Sequence, residues 1–179
     1  MAVKITYFVH GTTTDNTDGL STGWVPGELT EIGIEQSIAL KEQINIDDFD
    51  LVISSDLKRA IDSANLTFGG IKEIKHDPRI RECNYGDLNG KSTDLVRYED
   101  HVEGPFPNGE SLKDVEARVR DFSNYLLENY DNKHIAIVAH KAPQMAFQVI
   151  TKGITWQEAI ENDWRKTKSW QPGWEYIIK

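Results

Sequence analysis

Short runs of apolar and β-favouring residues alternate along the chain with stretches whose apolar positions recur at helical spacing. Strands are expected at 3–9 ("VKITYFV"), 50–54 ("DLVIS"), 71–75 ("IKEIK"), 134–139 ("HIAIVA") and 174–179 ("WEYIIK"). Thr30 is a good N-cap for a first helix reaching about Ile44, with Ile34 and Ile38 on one face. A second helix is expected over 57–67. The third has the clearest signal: Ser111 caps, Asp114 sits three residues on, and Val115, Val119, Phe122 and Leu126 repeat along one side. A fourth is expected to open at Pro143, since proline suits the first helical turn. This alternation predicts an α/β three-layer sandwich with a mostly parallel central sheet, its strands apolar enough to be covered on both faces.

There is no repeat, low-complexity tract or linker, so a single domain over 1–179 is expected. Within it, 83–110 ("CNYGDLNGKSTDLVRYEDHVEGPFPNGE") is long, polar and broken by glycine and proline. Loops of that length in a compact domain are usually functional, and this one is read as a substrate loop.

Composition narrows the function. With 39% hydrophobic and 27% charged residues the chain is globular rather than disordered. A net charge of −9 argues against nucleic acid or an anionic membrane as partner, because both reward clustered Lys and Arg. An anionic substrate would need a local basic pocket set against that overall field. Cys83 is the sole cysteine, which excludes an internal disulfide and any CxxC metal knuckle. The chain enters "VKITYFV" without a charged leader or a long apolar run, so a cytoplasmic location with no membrane span is expected. The sequon "NLT" at 65–67 lies inside a helical pattern and is read as chance.

The candidate chemistry gathers at strand ends. "YFVHG" ends at His10 and "AIVAHK" at His140, two histidines in matching strand-to-loop positions. Open α/β sheets bind ligands beyond the carboxyl ends of their strands. If these two strands are neighbours, both imidazoles reach one crevice, with His140 at a helix N-terminus that favours an anion. In "SSDLKRAIDSA", Arg59 falls just inside a helix start, where its guanidinium can fork onto an oxyanion. In "RIRECNYGDLNG", Glu82 follows a β-like run and precedes a turn. Taken singly, each has an ordinary reading as a rim histidine, an exposed arginine or a loop glutamate.

Taken together and in this order, the segments resemble the histidine phosphatase superfamily, which includes the cofactor-dependent phosphoglycerate mutases. "HGTTTDN" supplies His10, Gly11, Thr13 and Asn16; "STGWVPGELTEIGIEQ", "SSDLKRAIDSA", "IRECNYGDLNG", "PNGES" and "IAIVAHK" match the later motifs up to about residue 150. The resemblance implies that His10 is a nucleophile forming a phosphohistidine, and that Arg59 and His140 bind the phosphoryl oxygens. It implies that Glu82 serves as general acid and then base. Asn16, Thr13, Thr22 and Gly23 would line the phosphate or substrate side, and Tyr85 the far wall. Neither a metal nor a cofactor is implied, and the five histidines show no HExxH-type ligand spacing.

Two positions depart from the family pattern. Val9 stands where the family has an arginine, and Lys141 where it has a glycine. Losing a positioned transition-state donor typically costs about 10²–10³ in rate. Either Lys141 restores the lost charge from the other strand end, or it points to solvent and the two changes are unrelated. Residues 91–110 are acidic, with Lys91 and Arg97 as their cations, which favours hydrolysis over transfer between two hydroxyls. The expected activity is a metal-independent phosphomonoesterase acting on a small phosphorylated metabolite. The rival expectations are an impaired relative that binds a phosphorylated ligand or partner without turnover, kept open by Val9, and a mutase-type phosphotransferase. Trp164, Trp170 and Trp174 in the tail are read as core closure.

Overall fold

The computed structural model describes residues 1–169 and 171–179. Its central sheet has five strands in the order β4 (Ile74–His76), β3 (Leu51–Ser54), β6 (His134–Ala139), β1 (Val3–Val9) and β7 (Trp174–Ile178). β1 and β3 both pair in parallel with β6, and β4 in parallel with β3, whereas β7 runs antiparallel to β1 at the edge. The mostly parallel sheet inferred from sequence is present, although "IKEIK" yields its strand three residues late, at Ile74.

Burial along each strand follows its place in the sheet. β3 is buried throughout and β6 nearly so, as expected of central strands covered on both sides. β7 alternates, with Trp174, Tyr176 and Ile178 inward and Glu175 and Ile177 outward. Two helices, α2 (Glu31–Gln43) and α3 (Lys58–Phe68), cover the face carrying Phe8, Val52, Ala136 and Val138. On the other face α4 (Leu112–Asn129) and α5 (Lys141–Lys152) pack Val115, Val119, Phe122, Met145 and Phe147 onto Ile5, Tyr7, Ile135 and Ile137. Three shorter helices, α1 (Thr14–Thr17), α6 (Trp156–Glu161) and α7 (Trp164–Thr167), complete the described elements of that kind.

Helix starts follow local chemistry. Ser111 and Asp114 form the capping box read from sequence, and Thr30 caps α2 by accepting from the Gly33 N–H. α5 opens at Lys141 rather than Pro143, with His140 as its N-cap residue, so Pro143 stands in the third position of the first turn. The expected apolar face of α2 is also corrected. Ile34 and Ile38 are exposed, and the helix instead buries Gly33 and Ser37. The loop after β1 explains this: a Cβ on Gly33 would lie 2.1 Å from the Thr12 carbonyl oxygen, so that backbone approaches the helix where only glycine fits.

The segment 83–110 is less solvated than its polarity suggests. Tyr85, Tyr98 and Phe106 are buried in the larger core cluster, and β5 (Lys91–Ser92) pairs with β2 (Leu20–Ser21). Among the described residues no helix is long and apolar enough to cross a membrane.

Candidate active site

Register brings the ends of β1, β3 and β6 level, with Val9 opposite Ala139 and Ser54 opposite Val138. The next residues are His10, Ser55 and His140. The imidazoles of His10 and His140 lie with centroids 5.2 Å apart, tilted by 57°. A cavity of about 800 Å³ opens above them, lined among others by His10, Arg59, Glu82, Tyr85, Lys141 and Arg165.

His10 Nδ1 lies 2.7 Å from the Gly11 carbonyl oxygen. A carbonyl only accepts, so Nδ1 carries the proton and Nε2 keeps its lone pair. Burial, and then the charge of Arg59, push the His10 pKa down to about 3, which keeps the ring neutral near pH 7. Arg59, 2% exposed, directs its Nε toward His10 Nε2 at 3.4 Å and donates from Nη2 to the Gly23 carbonyl and from Nη1 to that of Val25. Gly23 holds a left-handed φ of 57°, and a Cβ there would collide with the Asn89 side chain, so this turn requires glycine.

His140 is fully buried beside His10 and does not itself line the open cavity. Its Nε2 lies 2.8 Å from the Ser55 hydroxyl, and its Nδ1 is buried without a partner among the described residues. Ser55 Oγ already accepts from the Leu57 N–H at 3.1 Å. The hydroxyl proton has no other acceptor among the described hydrogen bonds, so we assign it to His140 Nε2, which places the ring proton on the unpartnered Nδ1. Burial, then the charge of Arg59, hold the His140 pKa well below its usual value. Tyr7 fixes the backbone here, its hydroxyl donating to the His140 carbonyl at 2.6 Å and accepting from the His140 N–H at 3.0 Å.

Glu82 is 7% exposed and anchored through one oxygen, Oε1, which accepts from the Cys83 and Ala142 N–H groups at 2.9 and 3.0 Å. The start of α5 therefore receives a carboxylate. The sequence suggested that this helix end would hold a bound anion; Glu82 takes the Ala142 donor, and Pro143 has no N–H to offer. Behind Glu82, Arg118 donates to the carbonyls of Arg79, Arg81 and Glu82.

The remaining expected residues divide. Asn16, Thr22, Gly23 and Tyr85 line the cavity; Thr13 does not. Thr13 is fully buried and caps α1 through a reciprocal box with Asn16, its hydroxyl accepting from Asn16 N and its N–H donating to Asn16 Oδ1. Its short side chain is spent on local structure. Lys141 lines the cavity on the expected substrate side and does not point to solvent. It is turned inward, with Nζ 3.3 Å from Asp163 Oδ2 and 4.4 Å from the centre of the Tyr98 ring. Its charge is matched by Asp163, so it does not simply restore what Val9 removes. Burial, then the nearby Arg165 charge, lower its pKa.

Sequence reasoning missed Ser55, Asp163 and Arg165. "SSD" after a strand was a faint signal for the first; nothing in the spacing marked the other two. Trp174 is buried in the core, and Trp164 packs against that core and the Trp174 ring while also lining the cavity, so core closure holds for both and Trp164 has a second place besides. Trp170 lies outside the described residues. Among the described residues no group of three or more His, Cys, Asp and Glu side chains is assembled as a metal ligand set.

Comparison with known proteins bears on the family and the fold. The family profile described as the histidine phosphatase superfamily (branch 1) matches residues 7–169. A 2,3-bisphosphoglycerate-dependent phosphoglycerate mutase of Methylorubrum extorquens (strain PA1) is 30% identical over 167 residues, covering 82% of this chain and 77% of that protein. The crystal structure of the alpha-ribazole phosphatase from Shigella flexneri is 27% identical, with a TM-score of 0.75, covering 90% of this chain and 84% of that one. A mutant phosphoserine phosphatase of Entamoeba histolytica, in complex with phosphoserine, has a TM-score of 0.78 at 24% identity over 89% and 84% of the two chains, and speaks to the fold alone.

Proposed function

The chain belongs to the histidine phosphatase superfamily, and from that premise we propose that it hydrolyses a small phosphorylated metabolite through a phosphohistidine at His10, without a metal. The observation that carries this reading is the Nδ1 bond of His10 to Gly11, which leaves Nε2 as a neutral nucleophile. Nε2 attacks phosphorus, the bond from phosphorus to the ester oxygen breaks, and the leaving alkoxide takes a proton from the free oxygen of Glu82. Water then attacks the phosphohistidine, gives a proton to the Glu82 carboxylate and breaks the P–N bond, releasing phosphate. Arg59 stabilises the charge spread over the phosphoryl oxygens from the cavity wall, and the unpartnered Nδ1–H of His140 adds a donor once the bound group reaches past His10 to it.

Hydrolysis is favoured over transfer between hydroxyls by the charge of the cavity wall. From 91–110 that wall receives Thr93, Val96 and Tyr98, all uncharged. Arg97 is exposed and paired with Asp100, and Lys91 is exposed on β5. A bisphosphate held against water would need those cations inside.

Incubation with p-nitrophenyl phosphate in chelator, beside His10→Ala, tests the reading. Turnover by the native protein alone is expected. Turnover in neither, with phosphate still bound, would replace it with the second reading, a binder of phosphorylated ligands. Val9 favours that alternative, since its isopropyl group stands in the cavity wall where a donor would act.

A further inference from the structure

The phosphate site proposed above, on which this inference rests, is short of positive charge. Among the described residues Arg59 is the one cation in hydrogen-bond contact with His10, and two of its nitrogens are engaged by the carbonyls of Gly23 and Val25. Val9 offers nothing polar, and Lys141 is tied to Asp163. A phosphomonoester dianion needs more than one donor fork to be held for in-line attack.

We infer that Arg165, carried on α7 by the C-terminal tail, supplies the second guanidinium of this site and takes over the part that Val9 leaves vacant. Three observations meet on it. It lines the same cavity as His10, Arg59 and Glu82. Among the described residues its guanidinium has no carboxylate within ion-pair reach; it rests over the Trp164 ring, 5.2 Å from the centroid, and Trp164 lines the cavity too. Its charge is felt by His10, Tyr85 and Lys141, which stand on three separate segments around the opening.

Asp163 sets the position. One carboxylate oxygen accepts from the Arg165 N–H at 2.9 Å and the other pairs with Lys141 at the start of α5, so α7 is fastened to the element that follows His140. Lys141 thereby acts as an anchor for the arm bearing the arginine. An exposed arginine on such an arm can swing onto an incoming anion at small cost, because its planar fork is pre-organised for phosphate oxygens. Placing this charge at the mouth also concentrates anions against an overall charge of −9.

The test measures orthovanadate affinity by titration calorimetry beside hydrolysis of p-nitrophenyl phosphate. Losing a charge-assisted hydrogen bond predicts about 10- to 100-fold weaker vanadate binding in Arg165→Ala, with an unchanged melting temperature. Arg165→Lys should lie between the two, and Val9→Arg added to Arg165→Ala should recover most of the loss. Unchanged affinity in Arg165→Ala overturns the inference, as does a loss that Val9→Arg fails to reverse in a folded protein. Weaker vanadate binding in Arg165→Ala from a protein that hydrolyses nothing would retain the inference and discard the hydrolase reading. A native protein that binds no vanadate would discard both.

Discussion

Ser55→Ala removes a single oxygen and strands two buried polar groups. The hydroxyl accepts from the Leu57 N–H, at the start of α3, and donates to His140 Nε2, and both residues are buried. An unsatisfied buried group costs roughly 1–3 kcal/mol, so the pair predicts a loss of about 2–6 kcal/mol. For a chain of this size, at about 2–4 °C per kcal/mol, that is about 4–24 °C in melting temperature. Urea denaturation should show a lower midpoint at an unchanged slope. A second effect concerns the anion: without the serine proton on Nε2, His140 no longer has to carry its own proton on Nδ1. Vanadate affinity should therefore fall as well. A stability change below about 1 kcal/mol, with vanadate binding intact, would refute the hydrogen-bond assignment and the tautomer inferred from it.

Other expectations follow from the same geometry. Glu82→Gln keeps an acceptor for the Cys83 and Ala142 N–H groups but has no acid proton, so hydrolysis of an alkyl phosphate should fall by about 10²–10⁴. With p-nitrophenyl phosphate, whose leaving group needs no proton, the same variant should release one burst of nitrophenol per enzyme and then stall; equal losses on both esters would sink the proton-donor role. His10 and His140 both have folded pKa values below that of the unfolded ring, so below about pH 6.5 the unfolded chain binds more protons and stability falls with pH. Each ring contributes up to about 1.4 kcal/mol per pH unit until its folded pKa is reached. Urea melts at pH 7.5 and 5.0 should show that slope, reduced in His140→Gln; an identical slope in the variant would contradict it.

Much of this was written in local sequence because local chemistry decides it. The Ser111–Asp114 box and the run "HIAIVA" each satisfy one strong local rule, and both hold in the structure. The two strand-end histidines were legible because parallel neighbours bring equivalent positions level. What stayed hidden depends on partners distant in the chain. Ile34 and Ile38 form a plausible apolar face, yet the loop after β1 claims the side with Gly33 and Ser37. Glu82 meets the N-terminus of α5 across 60 residues of chain, and no spacing forecasts that. Arg165 is an unremarkable tail residue until the fold carries α7 to the cavity mouth. Thr13 failed as a cavity residue for the opposite reason: a small hydroxyl beside Asn16 serves a cap as readily as a ligand.

The phosphorylation state of His10 during turnover tests the central claim most directly. Glu82→Gln, mixed with p-nitrophenyl phosphate and quenched in alkaline denaturant, should yield by mass spectrometry one acid-labile, alkali-stable phosphate on the peptide containing His10. A steady release of phosphate with that peptide unmodified, or with the label on another residue, would contradict the account.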